Sequence, residues 1–255
     1  MALGPDLLRL TLAAAKRIGS ERPPDRPLRA LALGFPDLLA SDAQLAAAVG
    51  ADAVAALPVL PQSVEILRWH GLVGMLPHVR DTAALFAACG IAMEVIDIAE
   101  LRGGERIVDL NLPLPDDMVE AYDLVIDTGT LEHCFNVGQA LVNVARSIAK
   151  GGYLVHAAPM NIYNHGFWNF NPTLYFDFFE DNGFRIEFLQ GMSGHVFAGM
   201  KAVPLQPFQR FDTAPPRTAI YVVARREEVR PTVFPVQRKY RPAPTPAAAG
   251  GDPAP

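Results

Sequence analysis

A chain of 255 residues, half of them hydrophobic, with a formal net charge of -5, can bury a core for one sizeable α/β domain. It lacks the clustered basic face that nucleic acid requires. Two cysteines, Cys89 and Cys134, stand in unrelated contexts, against a disulfide framework or thiolate zinc site, so a reducing cytoplasm is the expected location. No apolar run approaches the roughly 18–20 residues that span a bilayer, and no membrane partner is expected.

In chain order, residues 1–26 read as an amphipathic docking helix and a linker, because Leu7, Leu8, Leu12 and Ile18 share one helical face. Its basic residues fall within and after the apolar stretch, and Asp6 stands where a signal peptide would be basic. "PLRALALGF" (27–35) is a short buried strand ending at Gly34. "SDAQLAAAVGADAVAAL" has alanine-rich helical spacing, with Ser41 or Asp42 as its N-cap. "SVEILRWHG" fits helix or strand, whereas "DTAALFAACG" is a helix opened by Asp81 and closed by Gly90. Strands follow at "IAMEVIDI" (91–98, with Asp97 near its end), "RIVDLNLPLP" (reaching Asp109) and "YDLVIDTG". Then come a helix "VGQALVNVARSIAKGG" with Lys150 in its last turn and a Gly-Gly stop, and the strand "YLVHAAP". "PTLYFDFFEDNGF" is helical from Pro172, and "RIEFLQGM" and "TAIYVVARR" are strands that pair antiparallel. The domain spans 27–230, and 231–255 are expected to form a disordered Pro/Ala-rich tail, with nothing to bury from about Arg241 onward.

Near-continuous apolar strands alternating with helices predict a doubly wound, mostly parallel sheet with an antiparallel last strand. Ligands of such sheets bind beyond the carboxyl ends of the strands, where the acids and small residues of this chain collect. Four features resemble, in order, the class I S-adenosylmethionine-dependent methyltransferases: Asp97 after "MEVI", "VDLNLPLPDD", "YDLVIDTGTLEH", and "SIAKGGYLVHAAP". The resemblance covers about residues 28–226 and is strongest over 91–160. It implies a Rossmann-like methyltransferase fold with S-adenosylmethionine as cofactor. Asp97 would accept from the ribose hydroxyls, and Asp109 and Leu110 would meet the adenine. Asp127, Thr128, Gly129 and Glu132 would approach the methionine part, and Gly34 would lie beneath the cofactor. The implied activity is methyl transfer to a small polar or carbohydrate-like acceptor.

The chain departs from the family at its first loop. "LALGFPDLLAS" carries one glycine, Gly34, where a Gly-x-Gly-type turn would let backbone approach cofactor. Two readings stay open: "GFPD" forms another turn and an added segment with Trp69, His70 and Gly71 rebuilds the wall, or the pocket is degenerate and the domain is a non-catalytic interaction module. The G-x-G-x-x-G fingerprint of nicotinamide enzymes is absent. The aromatic and amide-rich "PMNIYNHGFWNFNPTLYFDFF" is a candidate acceptor wall, or a packed aromatic cluster around residues 167–170. His165 is the first candidate base, set against a loop histidine held by a hydrogen bond; His133 is the second, set against a residue that shapes the site. His156, inside a strand, reads as a core residue. No H-x-x-H or H-E-x-x-H spacing occurs, so no metal site is expected. The oligomeric state is not encoded in any feature of the sequence.

Overall fold

The computed structural model describes residues 1–22, 26–195 and 199–241. Its elements are β1 (Ala2–Leu3), α1 (Pro5–Glu21), β2 (Leu28–Leu33), β3 (Asp37–Leu38), α2 (Asp42–Val49), α3 (Ala51–Ala56), α4 (Ser63–Trp69) and α5 (Thr82–Ala88). The chain continues with β4 (Ile91–Asp97), β5 (Arg106–Ile107), β6 (Tyr122–Asp127), α6 (Val137–Ser147), β7 (Ile148–Pro159), α7 (Pro172–Tyr175), β8 (Phe184–His195), β9 (Gly199–Val203) and β10 (Ala219–Arg226).

Eight strands form one sheet in the order β5-β4-β2-β6-β7-β10-β8-β9. From β5 to β7 every neighbouring pair is parallel, and β10 runs antiparallel to both β7 and β8. This is the expected doubly wound, mostly parallel, Rossmann-like sheet with a reversed strand; β9 adds one antiparallel edge strand.

Alternate residues on the strands feed two cores, as the pleat requires. Leu124 and Ile126 face one layer with α1, α2, α3 and α5, while Val125 faces the other with α6 and α7. A third, small cluster of Leu39, Ile66, Leu67, Leu72, Leu76 and Val79 gives the segment between β3 and α5 a core of its own.

Several local expectations are corrected. The alanine-rich stretch is two helices because Gly50, at φ 91°, breaks it; Ser41 is the cap of the first, completing a capping box with Gln44. "SVEILRW" is helical. "LEH" is a 3-10 turn over Leu131–His133, and α6 begins at Val137 under an Asn136 cap. α6 ends at Ser147, so Lys150 and the glycine pair belong to β7. The strand expected through Asp109 stops at Ile107. In the segment read as tail, Val233 N–H donates to Asn182, Arg238 reaches Glu180, and Arg241 reaches Asp181. The expected disorder beyond residue 241 lies outside the described residues.

The linker after α1 is tied to the sheet by Asp123. Its carboxylate accepts from Arg26 (3.0 and 3.2 Å) and from Arg29 N–H (2.8 Å). Burial pushes the Asp123 carboxyl up, but the Arg26, Arg29 N–H and Arg22 contacts outweigh it and hold it below the usual range. A carboxylate with a depressed pKa stabilises above its unfolded pKa of about 3.9, and that contribution fades as pH falls through the lower folded value. Asp123→Asn is expected to lose about 1–2 kcal/mol at neutral pH. Urea titrations should show the difference from the parent closing at more acidic pH.

Candidate active site

The carboxyl ends of β2, β4 and β6 lead into a cavity of about 720 Å³. Of the ten site residues expected from the sequence, eight line it: Gly34, Asp97, Asp109, Leu110, Thr128, Gly129, His133 and His165. The parallel pairing of β2 with β4 and β6 sets Leu33 beside Ile96 and Asp127, so the residues that follow each strand emerge together. Asp97 Oδ1 accepts from Ile98 N–H at 2.7 Å. Asp109 Oδ1 accepts from the Asn111 N–H and side-chain amide, at 2.9 and 2.7 Å. Thr128 carries a buried Oγ1 without a hydrogen-bond partner.

Asp127 and Glu132 are placed otherwise: both are buried behind the wall, 0% and 1% exposed. Asp127 Oδ1 accepts from the N–H groups of Gly129 (3.0 Å) and Thr130 (2.6 Å), fixing the turn that ends β6. Its Oδ2 lies 2.7 Å from His156 Nδ1, and His156 Nε2 lies 2.9 Å from the Tyr175 hydroxyl. Burial first, then the charges of Asp127 and Glu132, push the Tyr175 phenol well up. A phenol that keeps its proton donates to Nε2, which assigns the imidazole proton to Nδ1 and thus to Asp127. The expectation of a core role for His156 agrees with this placement.

The first loop takes a turn of its own. Gly34 has φ 72°, a conformation that suits glycine. Three residues on, buried Asp37 accepts from Arg102 at 2.9–3.2 Å and lies 2.8 Å from His70 Nε2. Burial pushes the Asp37 carboxyl up, yet the His70 and Arg102 hydrogen bonds leave it below the ordinary value. Trp69, His70 and Arg102 line the cavity, so the added segment does form wall here; Gly71 does not line it. β1 pairs in parallel with β3, which brings Met1 into the same space. A Cβ on Gly34 would stand 2.6 Å from Met1 Cγ, and one on Gly129 would stand 3.6 Å from Met1 Cε. Met1 and Arg102 had no signal in the local sequence, since Met1 reaches the cavity through the β1–β3 pairing and Arg102 through its hydrogen bonds to Asp37.

At the far side, His165 Nε2 is 3.3 Å from Glu132 Oε1, and the His133 and His165 rings are 5.2 Å apart. The Glu132 hydrogen bond raises the His165 pKa above its ordinary value. Burial, followed by the Asp127, Asp109 and Glu132 charges, pushes the Cys134 thiol up to about 12, so it is no thiolate nucleophile near neutral pH. The loop bearing His165 is clamped to this turn: Phe167 and Trp168 N–H groups donate to the Glu132 carbonyl at 2.8 and 3.2 Å, and the Trp168 indole donates to the Cys134 carbonyl at 2.9 Å. The expected aromatic wall divides: Phe170 is buried in the core, whereas Phe167 and Trp168 are exposed and line neither face of the cavity. A second hollow, formed by Asn161, Tyr163, Asn164 and Arg217 among others, shares His165 with the first.

A Cβ on Gly166 would meet the Glu132 carbonyl oxygen at 2.6 Å and Cγ at 2.9 Å. Gly166→Ala is therefore expected to reduce stability by about 1–3 kcal/mol and to pull His165 away from Glu132. Thermal unfolding checks the first effect, and a fall in the His165 pKa, followed by NMR, checks the second.

No family model and no curated protein matches the chain. Among solved structures, it is similar to the carbon methyltransferase DszA (TM-score 0.48, 12% identity, 89% of this chain and 54% of that one). It is similar also to the N-methyltransferase NodS of Bradyrhizobium japonicum in complex with S-adenosyl-l-homocysteine (TM-score 0.40, 11% identity, 88% and 85% covered). A third is the Burkholderia thailandensis 1,6-didemethyltoxoflavin-N1-methyltransferase (TM-score 0.43, 13% identity, 86% and 80% covered). The chain spans about half the length of the first of these, 54%. Among the described residues no helix is long and apolar enough to cross a membrane.

Proposed function

We propose that this chain binds S-adenosylmethionine and transfers its methyl group to a small polar or carbohydrate-like acceptor. The observation that carries the reading is that Asp97, ending β4, and Asp109, just beyond neighbouring β5, line a single cavity of about 720 Å³, a volume within the range of small-molecule sites. The unpartnered buried Thr128 hydroxyl in the same wall supports it, because such a group is costly unless a ligand satisfies it. Asp97 would hold the ribose hydroxyls, Asp109 with Leu110 the adenine, and Thr128 with Gly129 the amino-acid part. Bound there, the cofactor would supply an electrophilic methyl group.

The acceptor would enter beside His165, through the polar hollow with Asn161, Tyr163, Asn164 and Arg217. His165 and His133 would orient it, and Asp127 would act from behind the wall by holding the Gly129 and Thr130 amides in place. Orientation is the larger task for a displacement at a methyl carbon, which needs the attacking atom held in line at near-attack distance.

Calorimetry with S-adenosylhomocysteine tests the reading; the expected result is saturable binding in the micromolar range, and absence of heat at millimolar ligand removes it. One observation favours the alternative of a non-catalytic module: the Met1 side chain occupies the corner between Gly34 and Gly129. If that corner is permanently filled, the purified chain carries no adenine absorbance and S-adenosylhomocysteine leaves its melting temperature unchanged.

A further inference from the structure

We propose that Glu132, His133 and His165 form a binding site for a divalent first-row metal ion, open toward the cavity. No sequence spacing announces it, because His165 reaches the other two only through the fold. One ligand atom from each residue lies within 4.8 Å of the others. The Glu132 and His165 atoms are already 3.3 Å apart. Bonds of about 2.1 Å to a common ion require separations of roughly 3–3.5 Å, so rotation of the exposed His133 ring closes the set.

A second observation points to a ligand independently of that spacing. Glu132 is 1% exposed, and its Oε2 is buried without a hydrogen-bond partner. A carboxylate oxygen in that state carries a desolvation penalty, and a bound cation would relieve it. The surroundings are built for fixed geometry, since the Phe167, Trp168 and indole hydrogen bonds lock the two ligand-bearing loops together, and Gly166 lets them meet. Two imidazoles and one carboxylate are the donor set of metal sites that keep open positions, and they suit zinc or iron(II) better than magnesium or calcium.

His133 and His165 line the cavity, so the open positions face it. On the proposed methyltransferase reading, on which this step alone rests, they would take a hydroxyl or carboxylate oxygen of the acceptor. That narrows the acceptor to an oxygen-bearing molecule able to coordinate a metal.

The test is a calorimetric titration of the chelator-stripped full chain with Zn²⁺, repeated with Co²⁺ followed by its visible absorption. In parallel, S-adenosylhomocysteine binding is measured on the same samples. One Zn²⁺ per chain is expected, with affinity at least about tenfold lower in His165→Ala and Glu132→Gln and unchanged in His78→Ala. His165 is half-exposed, so His165→Ala decides the matter even where Glu132→Gln does not fold. Absence of stoichiometric Zn²⁺, or equal affinity in His165→Ala, overturns the site. A chain that binds zinc through these residues but ignores S-adenosylhomocysteine keeps the metal site and loses the cofactor reading; the converse result does the opposite.

Discussion

Replacing Asp127 with alanine is expected to remove about 3–5 kcal/mol of folding stability, the largest loss from any single substitution at this site. Three donors depend on that carboxylate: the Gly129 and Thr130 N–H groups and His156 Nδ1. The side chain is fully buried, so no water enters without reorganising the sheet, and each orphaned donor carries its own desolvation penalty. Asp127→Asn separates the contributions. Its carbonyl oxygen can still accept from the turn amides, but its NH₂ then faces His156 and forces the imidazole proton to Nε2, against the Tyr175 hydroxyl proton. An intermediate loss is expected for it. Urea unfolding of the two variants measures both, and a loss under about 1 kcal/mol for the alanine variant contradicts the network as described. Because the same carboxylate fixes the 128–130 turn, S-adenosylhomocysteine affinity should also fall in Asp127→Ala, although Asp127 does not line the cavity.

What the sequence discloses here follows the range of the interactions concerned. The strands around Asp97 and Asp127 were legible because near-continuous apolar runs, β-branching and flanking turn residues are local signals. Asp81 and Ser41 caps were legible for the same reason. The glycine pair at 151–152 misled because Gly-Gly after an amphipathic run reads as a helix stop. In the fold it serves close passage instead: a Cβ on Gly152 would lie 2.8 Å from the Asp123 carbonyl and 2.9 Å from that of Ala149, where the β6–β7 register shifts. The site was half legible. Strand-end acids announce themselves, but Met1 against Gly34, Arg102 against Asp37, and His165 against Glu132 join residues separated by some 30 to 65 positions, and no local pattern encodes such pairs.

The second large effect concerns ligand affinity and separates cleanly from stability. Asp97→Ala is expected to weaken S-adenosylhomocysteine binding by roughly 2 kcal/mol, about thirtyfold, through lost charge-assisted hydrogen bonds to the ribose. Among the described residues the hydrogen bond its side chain makes is to the Ile98 N–H, in a half-exposed position where water can replace it, so the melting temperature should hardly move. Asp97→Asn retains one acceptor oxygen and should fall between the parent and the alanine variant. Asp109→Ala is the less direct probe, because Asp109 also orders Asn111, which in turn accepts from the Asn136 N–H at the start of α6. Loss of affinity there mixes recognition with a loosened loop. An Asp97→Ala chain that melts like the parent and binds with the parent's dissociation constant would place the ribose elsewhere. The cavity would then lack a role for the one carboxylate that stands within 3.5 Å of a Cβ built on Gly34, at the floor of the first loop.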